Sequence, residues 1–333
     1  MTAPKVPSRA PIQTPRALRT LWLVAGLTVL ASGGAGAFEP RVLDSVVSVL
    51  PLWPGHAQGG RGDVPPGAAP EGSAVAIAEG GYLVTAFHVI DRATRVDVRL
   101  HDGTVHPARI VGQDPATDLA VLRIDRELPL LAVKRDPGIA EPVCAIGNQF
   151  GLDLSVTCGV VSATRRSGVG FNPIEDFVQT DAVVNPGSSG GALVDGEGRL
   201  VGILSAIFTK DSDADIGVNF AASMALVLRV VDDLIAHGRV LRAAPGLRVA
   251  DLELGDRRTL TGARVVGLLP DGPASRAGIA LGDVVTAIAG RPVRGPHDVT
   301  AGVQLHRPGD SLTVTVLREG RPLDLTLTLP PVD

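Results

Sequence analysis

Aromatic side chains and cysteines are both rare in this chain of 333 residues. Aromatics make up 3% of the sequence, and the only cysteines are Cys144 and Cys158. A hydrophobic core must therefore be built from Val, Leu, Ile and Ala, and neither a disulfide-rich scaffold nor a multi-cysteine metal cluster is available. Basic excess is lacking as well. The net charge of −4 excludes the strongly basic surface expected of a nucleic-acid-binding protein.

Glycine and proline, in contrast, are abundant, with 40 and 26 residues. This composition suits a turn-rich β protein better than a helical one. Short apolar segments separated by turn residues recur along the chain, which is typical of β-barrels or sandwiches, and two sets of about six predict two barrels. The predicted strands cover residues 46–50, 73–77, 81–86, 95–100, 105–111 and 119–124, then 142–146, 154–162, 177–180, 191–194, 200–204 and 217–221.

The hydrophobic period changes after the last of these strands. Residues 222–238 carry apolar side chains at helical spacing, and Gly238 is placed to end the helix. Ala243-Ala244-Pro245-Gly246 then forms a linker. A smaller module of strands with two short helical pieces is predicted for residues 246–331.

The N-terminal region indicates export. Residues 1–20 carry four basic side chains and no acidic one, and residues 21–38 carry no charge. This pattern predicts either an uncleaved membrane anchor over 21–38 or a secretory signal cleaved after Ala37. Residues 39–72 are interpreted as a linker that holds the first strand and a Gly/Pro-rich loop.

A glycine-rich segment around Ser189 is the strongest candidate for chemistry. Ser189 lies in Asn185–Leu193, with Gly187 before it and Gly190 and Gly191 after it. Such a segment can be a simple Gly/Ser turn. It can also hold a nucleophilic serine, because sharply turned glycine backbone lets successive N–H groups point at one developing oxyanion.

A nucleophilic serine needs a base and an orienting acid from elsewhere in the chain. His88 follows a predicted buried strand, in Thr85-Ala86-Phe87-His88. Asp118 directly precedes the apolar run Leu119–Leu122. Each alone is more often structural. The order His88, Asp118, Ser189 is that of serine proteases built from two β-barrels.

With these residues in place, the chain resembles the HtrA (Deg) family of exported serine proteases, and its layout is similar to the membrane-anchored DegS-type members. The resemblance implies a mostly β fold with two six-stranded barrels of the chymotrypsin/trypsin type over residues 73–240, followed by a PDZ domain over 246–331. The matching stretches are 81–90, 114–122, 145–152, 179–182, 185–193 and the PDZ-like run 263–285.

The resemblance also implies the roles of individual residues. Ser189 is the expected nucleophile, His88 the general base and Asp118 the acid that fixes the imidazole tautomer. The N–H groups of Gly187, Ser188 and Ser189 are the expected oxyanion hole, and neither a metal nor a cofactor is implied. The loop Ala206–Asp215 is expected to help shape the primary specificity pocket.

A PDZ domain binds the C-terminal strand of a partner at a sheet edge and holds its carboxylate on backbone N–H groups. By resemblance, Gly246-Leu247-Arg248-Val249 is the carboxylate loop and Asp298–His306 the groove helix. Arg166 aligns with the arginine of a sensor loop that couples PDZ occupancy to the active site. A homotrimer is implied as well.

The sequence leaves several alternatives open. Cys144 and Cys158 are expected on neighbouring strands, either as a cross-strand disulfide or as two free thiols. We expect an endopeptidase of the bacterial periplasm that cleaves misfolded or regulatory exported proteins and responds to C-terminal peptides. The alternatives are a catalytically impaired PDZ scaffold or holdase, and a constitutive soluble periplasmic protease.

Overall fold

The computed structural model describes residues 40–54, 71–207 and 217–332. The segment 21–38, most of the Gly/Pro-rich loop and residues 208–216 of the pocket loop lie outside these ranges. The anchor, the signal and the pocket loop therefore stay predictions. Within the described ranges, no helix has the length and apolar character needed to span a membrane.

The first six strands close into a barrel, in the order β1-β2-β3-β6-β5-β4. A short helix, α1 (Phe87–Ile90), follows the third strand. All neighbouring strands are antiparallel, and the interior is filled by aliphatic side chains. The strands are β1 (Val46–Leu52), β2 (Gly72–Ala78), β3 (Tyr82–Ala86), β4 (Arg95–Arg99), β5 (Val105–Asp114) and β6 (Leu119–Arg123).

The next six strands close into a second barrel, in the order β10-β11-β12-β9-β8-β7. Two closed six-stranded barrels confirm the predicted architecture. The strand predicted over 154–162 extends further than predicted, because the chain stays paired as far as Arg166. The strands are β7 (Pro142–Gly147), β8 (Ser155–Arg166), β9 (Phe177–Thr180), β10 (Ala192–Asp195), β11 (Leu200–Ile207) and β12 (Asn219–Ser223).

The predicted helix is α2 (Met224–His237), which packs on β5 and β6 of the first barrel and on β11 and β12 of the second. It begins two residues later than predicted because Ser223 is its N-cap and accepts a hydrogen bond from Leu226 N–H. It ends at Gly238, whose φ of 69° is the left-handed cap that glycine favours.

The C-terminal module is a six-stranded sheet with its own core. The strands pair in the order β13-β14-β15-β17-β18, and β16 pairs with β15. The strands are β13 (Leu247–Asp251), β14 (Ala263–Leu268), β15 (Val284–Ile288), β16 (Arg291–Pro292), β17 (Ser311–Arg318) and β18 (Arg321–Thr328), and the helices are α3 (Pro273–Arg276) and α4 (Pro296–Gln304).

Charged side chains join this module to the barrels. Burial alone would raise the pKa of Asp233, but the Arg229 guanidinium beside it and the Leu241 N–H lower that pKa. This pair fixes the chain between α2 and the linker. The polar contacts that cross from the barrels and α2 to the module include Arg291 with Asp176, Arg307 with Asp232 and Asp233, Asp298 with Ser167, Arg229 with the carbonyl of His306, and Arg294 with the carbonyl of Arg165.

Candidate active site

His88 and Asp118 are brought together by two neighbouring strands of the first barrel. β3 pairs with β6, and Ala86 lies opposite Leu119 in the register, so the residues that extend these strands meet at one edge. His88 Nδ1 lies 2.8 Å from Asp118 Oδ2. With the proton on Nδ1, the ring donates to the carboxylate and Nε2 remains the basic nitrogen.

Asp118 is held from several directions. Its Oδ1 accepts from the His88 N–H at 2.9 Å, and its carbonyl accepts from the Phe87 N–H at 2.9 Å. Its φ of 58° lies in the left-handed region, which is an uncommon backbone conformation for a residue other than glycine. The carboxylate is therefore fixed by its backbone as well as by its partners, as expected of an orienting acid.

Ser205 on β11 is a further partner that sequence reasoning missed. Its hydroxyl donates to Asp118 Oδ2 at 3.1 Å, and its carbonyl lies 3.4 Å from Ser189 Oγ. A single serine at the end of an apolar strand pattern carries no spacing signal. Only the closure of the second barrel shows that it touches two of the predicted residues.

Ser189 lies in the loop between β9 and β10 and is partly exposed, while His88 is half-exposed, so both side chains are accessible to a polypeptide in solvent. The Ser189 hydroxyl donates to the Ser205 carbonyl. Among the described residues, no hydrogen bond joins it to His88. A turn about the Cα–Cβ bond of Ser189 redirects this hydroxyl without moving the backbone.

The backbone groups of the Ser189 loop are almost all engaged. The carbonyls of residues 186–189 each accept a hydrogen bond, from Phe150 N–H (2.7 Å), Ser73 Oγ (2.8 Å), Gly191 N–H (2.8 Å) and Ser73 N–H (2.9 Å), respectively. The Ser188 N–H donates to the Asn185 carbonyl at 2.9 Å and the Gly190 N–H to the Leu204 carbonyl at 2.7 Å. Within the described part of the chain, the N–H groups of Gly187 and Ser189 make no hydrogen bond.

This pattern bears directly on the predicted oxyanion hole. Of its three predicted donors, Ser188 gives its N–H to the Asn185 carbonyl in this conformation, so its part in the hole stays a prediction. Gly187 and Ser189 keep their N–H groups available. A backbone N–H that donates to a carbonyl within the turn cannot also donate to a developing oxyanion.

Two positions of the loop require glycine, both because their φ is positive and because a Cβ there would collide with a neighbouring carbonyl oxygen. Gly187 has φ 97° and Gly190 has φ 84°. A Cβ at Gly187 would lie 2.1 Å from the Asn148 carbonyl oxygen, and one at Gly190 would lie 2.0 Å from the Ser73 carbonyl oxygen. Only glycine fits such close backbone approaches.

The connection between β7 and β8 supports the Ser189 loop from one side. The Asn148 N–H donates to Ser73 Oγ, and the buried Gln149 accepts from Asn185 Nδ2 at 2.8 Å. At the base of this hairpin, Cys144 lies opposite Cys158, and the two form a disulfide. The structure therefore decides between the two alternatives that the sequence left open for these cysteines.

The predicted peptide groove of the C-terminal module lies at a sheet edge. Within the described residues, β13 pairs with β14 only, and α4 packs against it. Gly246 has φ 72° directly before β13, and its carbonyl accepts from the Leu269 N–H at 2.8 Å. Leu247, Arg248 and Val249 lie on β13 itself, so the four predicted residues run from the loop into the edge strand.

Arg166 ends β8 and donates to Gln179 Oε1 at 3.2 Å. With Ser167 and Gly168 it lines a cleft, whose other side is formed by residues of the C-terminal module that include Asp298 and His297. Burial alone would raise the pKa of Asp298, but the hydrogen bonds from Arg294 and Ser167 lower it. The predicted sensor segment therefore lies against the module that it is predicted to sense.

Comparison with known proteins agrees with this division of the chain. The trypsin-like peptidase domain family matches residues 72–203, and the PDZ domain family matches residues 214–329. The HtrA-type protease AlgW, in its structure with a tripeptide, is 38% identical to this chain. The match covers 87% of this chain and 94% of AlgW, with a TM-score of 0.68. The chain belongs to the HtrA family of serine proteases.

Other HtrA-type relatives show the same similarity. A serine endoprotease from Yersinia pestis is 33% identical, with 88% of this chain and 96% of that chain covered and a TM-score of 0.57. The periplasmic serine endoprotease DegP of Escherichia coli is 38% identical over 268 residues, which are 78% of this chain and 56% of DegP. The chain thus spans about half the length of the curated HtrA relatives that it matches. The trypsin-like barrels and the PDZ domain of the predicted fold are confirmed.

Proposed function

We propose that this protein is a serine endopeptidase in which Ser189 is the nucleophile, His88 the general base and Asp118 the residue that orients the imidazole. The observation that carries the proposal is the loop around Ser189. Among the described residues, it leaves two N–H groups unengaged, on Gly187 and on Ser189 itself. The Ser189 hydroxyl contacts the Ser205 carbonyl, and the Ser205 hydroxyl binds the acid of the His–Asp pair.

The proposed reaction begins when the Ser189 hydroxyl turns from the Ser205 carbonyl toward His88 Nε2. Oγ then bonds to the carbonyl carbon of the scissile peptide, and Nε2 takes the hydroxyl proton. The negative charge formed on the carbonyl oxygen is stabilised by the N–H groups of Gly187 and Ser189. Collapse expels the amine, which takes the proton from His88, and water activated by the same nitrogen hydrolyses the acyl-enzyme.

The proposed substrates are misfolded or regulatory proteins in the periplasm, where the DegP relatives are named as acting. An open, half-exposed His88 beside Ser189 suits an extended polypeptide rather than a small enclosed molecule. Residues 21–38 are proposed to anchor the chain in the inner membrane, or to be removed as a signal. The N-terminal residue of the mature protein distinguishes these two.

The proposed regulators are C-terminal peptides, bound along the edge strand β13 with their carboxylate at Gly246–Val249. Support comes from the structures of AlgW, one with a tripeptide and one with a decapeptide. The sensor segment around Arg166 is proposed to transmit occupancy of this groove to the Ser189 loop. A homotrimer is proposed on family grounds alone.

Cleavage of an unfolded reporter protein, with and without a library of C-terminal peptides, tests the proposal. We expect cleavage that some peptides increase and that Ser189→Ala abolishes. Cleavage that persists in Ser189→Ala, or an inert wild type under every peptide, contradicts it. Equal cleavage with and without every peptide contradicts regulation but leaves the endopeptidase standing.

A further inference from the structure

Ser73 is the residue on which three separate segments meet. It lies on β2 of the first barrel and is fully buried. Its hydroxyl donates to the Gly187 carbonyl at 2.8 Å and accepts from the Asn148 N–H at 2.8 Å. Its backbone N–H donates to the Ser189 carbonyl at 2.9 Å. One side chain and one N–H therefore bind both residues whose N–H groups stay unengaged.

The Gly187 contact matters because glycine has few conformational restraints of its own. The direction of the Gly187 N–H depends on the peptide planes on both sides of this residue. The plane before it is held by Phe150 N–H on the Pro186 carbonyl, and the plane after it by Ser73 Oγ on the Gly187 carbonyl. The Gly187 N–H lies in the same peptide plane as the Pro186 carbonyl and points away from it, so the Phe150 anchor sets its direction. The Ser73 anchor holds the following plane and so limits rotation about the backbone bonds of Gly187.

The hydroxyl of Ser73 cannot donate a second hydrogen bond. A hydroxyl carries one proton, and here that proton is given to Gly187. The Ser73 carbonyl is itself fixed by Thr85 Oγ1 at 2.7 Å. The first barrel thus provides a rigid base for a loop that belongs to the second barrel.

We propose that Ser73 is a positioning residue for acyl transfer at Ser189, and that its hydroxyl keeps the Gly187 N–H directed at the developing oxyanion. This inference rests on the proposed endopeptidase function. The hydrogen bond from the Gly187 N–H strengthens as negative charge develops on the carbonyl oxygen of the scissile peptide. It therefore stabilises the transition state much more than the bound substrate. Loss of the Ser73 hydroxyl should therefore lower kcat and leave KM nearly unchanged.

The experiment compares Ser73→Ala with Ser48→Ala in the full-length protein. Ser48 lies opposite Ser73 on β1 and is similarly buried, but among the described residues it makes no hydrogen bond to the Ser189 loop. Rates are expressed per active site titrated. Removing one oxyanion donor outright typically costs about 10²–10³-fold in kcat, so loosening one should cost about 10- to 30-fold. Ser48→Ala should stay within about twofold of wild type by the same reasoning.

A second readout separates positioning from general destabilisation. The Ki of a peptide aldehyde, which places a charged oxygen in the hole, should rise in Ser73→Ala by the same factor as kcat falls. If Ser73→Ala does not fold, Ser73→Cys has a similar volume and a much weaker donor, and it should show the same pattern.

Three results overturn the proposal: an unchanged kcat in the Ser73 variant, a loss that lies in KM, or a loss that leaves the aldehyde Ki unchanged. A wild type that does not cleave, or a Ser189→Ala variant that does, refutes the proposed function instead. The two failures are therefore distinguishable.

Discussion

The two halves of the active site are held in different ways. On the first barrel, His88 and Asp118 hold each other directly, through side chains that lie just beyond the paired ends of β3 and β6. On the second barrel, Ser189 depends on its loop, whose carbonyls are bound by residues from other parts of the chain. One half is a side-chain pair and the other is an arrangement of backbone groups.

The two halves also differ in how closely they are connected to the PDZ domain. The His–Asp pair is fixed mainly within the first barrel, and the second barrel adds one hydrogen bond, from Ser205 to Asp118. The Ser189 loop is supported by the β7–β8 connection, and β8 runs from there to the segment that contacts the PDZ domain. A regulator bound to the PDZ domain can therefore reach the second half more directly than the first.

The largest effect is expected at Ser189, the proposed nucleophile of the second half. Ser189→Ala removes the nucleophile and should lower the rate of peptide cleavage by about 10⁵–10⁶-fold. His88→Ala should cost a similar factor, and the double variant no more than either, because the two residues act as a unit. The check is the initial rate per mole of folded enzyme. Losses that multiply in the double variant contradict a shared step.

The next effect tests the first half alone. Asp118→Asn keeps the shape of the side chain but offers an amide to His88 Nδ1, so the imidazole adopts the wrong tautomer. We expect a loss of about 10⁴-fold in kcat. Ser205→Ala serves as the comparison, because it removes only the hydroxyl that donates to the same carboxylate oxygen. A larger loss in Ser205→Ala than in Asp118→Asn would contradict the assigned order of importance.

A smaller effect is expected where the second half connects to the PDZ domain. Arg294 donates to the Arg165 carbonyl and to Asp298, and Arg294→Ala should weaken the contact between sensor segment and domain. The ratio of peptide-stimulated to basal cleavage should move toward one. Arg321→Ala is the control, since that arginine is exposed on β18. An unchanged ratio in Arg294→Ala would show that the signal does not pass through this contact.

The smallest effect is expected from pH at the same contact. Hydrogen bonds from Arg294 and Ser167 hold the pKa of Asp298 below its ordinary value despite burial. A lowered folded-state pKa means that the stabilisation is complete above the pKa of an unfolded aspartate, about 3.9, and is lost as pH falls through the folded value.

The hydrogen-exchange protection factors of residues 165–168, which correct for the slower intrinsic exchange of amides in acid, should therefore fall as the solution is acidified below about pH 4, the range in which aspartate titrates. In Asp298→Asn, protection should already be lower at neutral pH and should change less with acid. Identical acid responses in the two proteins would assign the change to another group.

Much of this arrangement follows from sequence, and the exceptions have a common cause. Alternating apolar strands and the Asp102-Gly103 turn predict the barrels, since hairpin signals are local. The order His88, Asp118, Ser189 predicts the reacting residues, since each motif has its own residue pattern. Ser73 is 114 residues from Gly187, and the partners of an N–H group depend on loop conformation. No sequence pattern marks such contacts.

The cysteine pair illustrates the same limit. Placing Cys144 and Cys158 on neighbouring strands needs only the strand pattern. Whether they bond depends on register, because a shift of one residue turns a side chain to the opposite face of the sheet. The observed register sets them directly opposite each other.

Labelling with a fluorophosphonate, followed by peptide mapping, shows whether Ser189 is a nucleophile activated by His88 and Asp118. This reagent phosphonylates a serine activated by a base and places an oxygen in the oxyanion hole. We expect one adduct, on Ser189, that forms much more slowly in Asp118→Asn and is absent in Ser189→Ala. An adduct on another residue, or no adduct with or without C-terminal peptides, would contradict it.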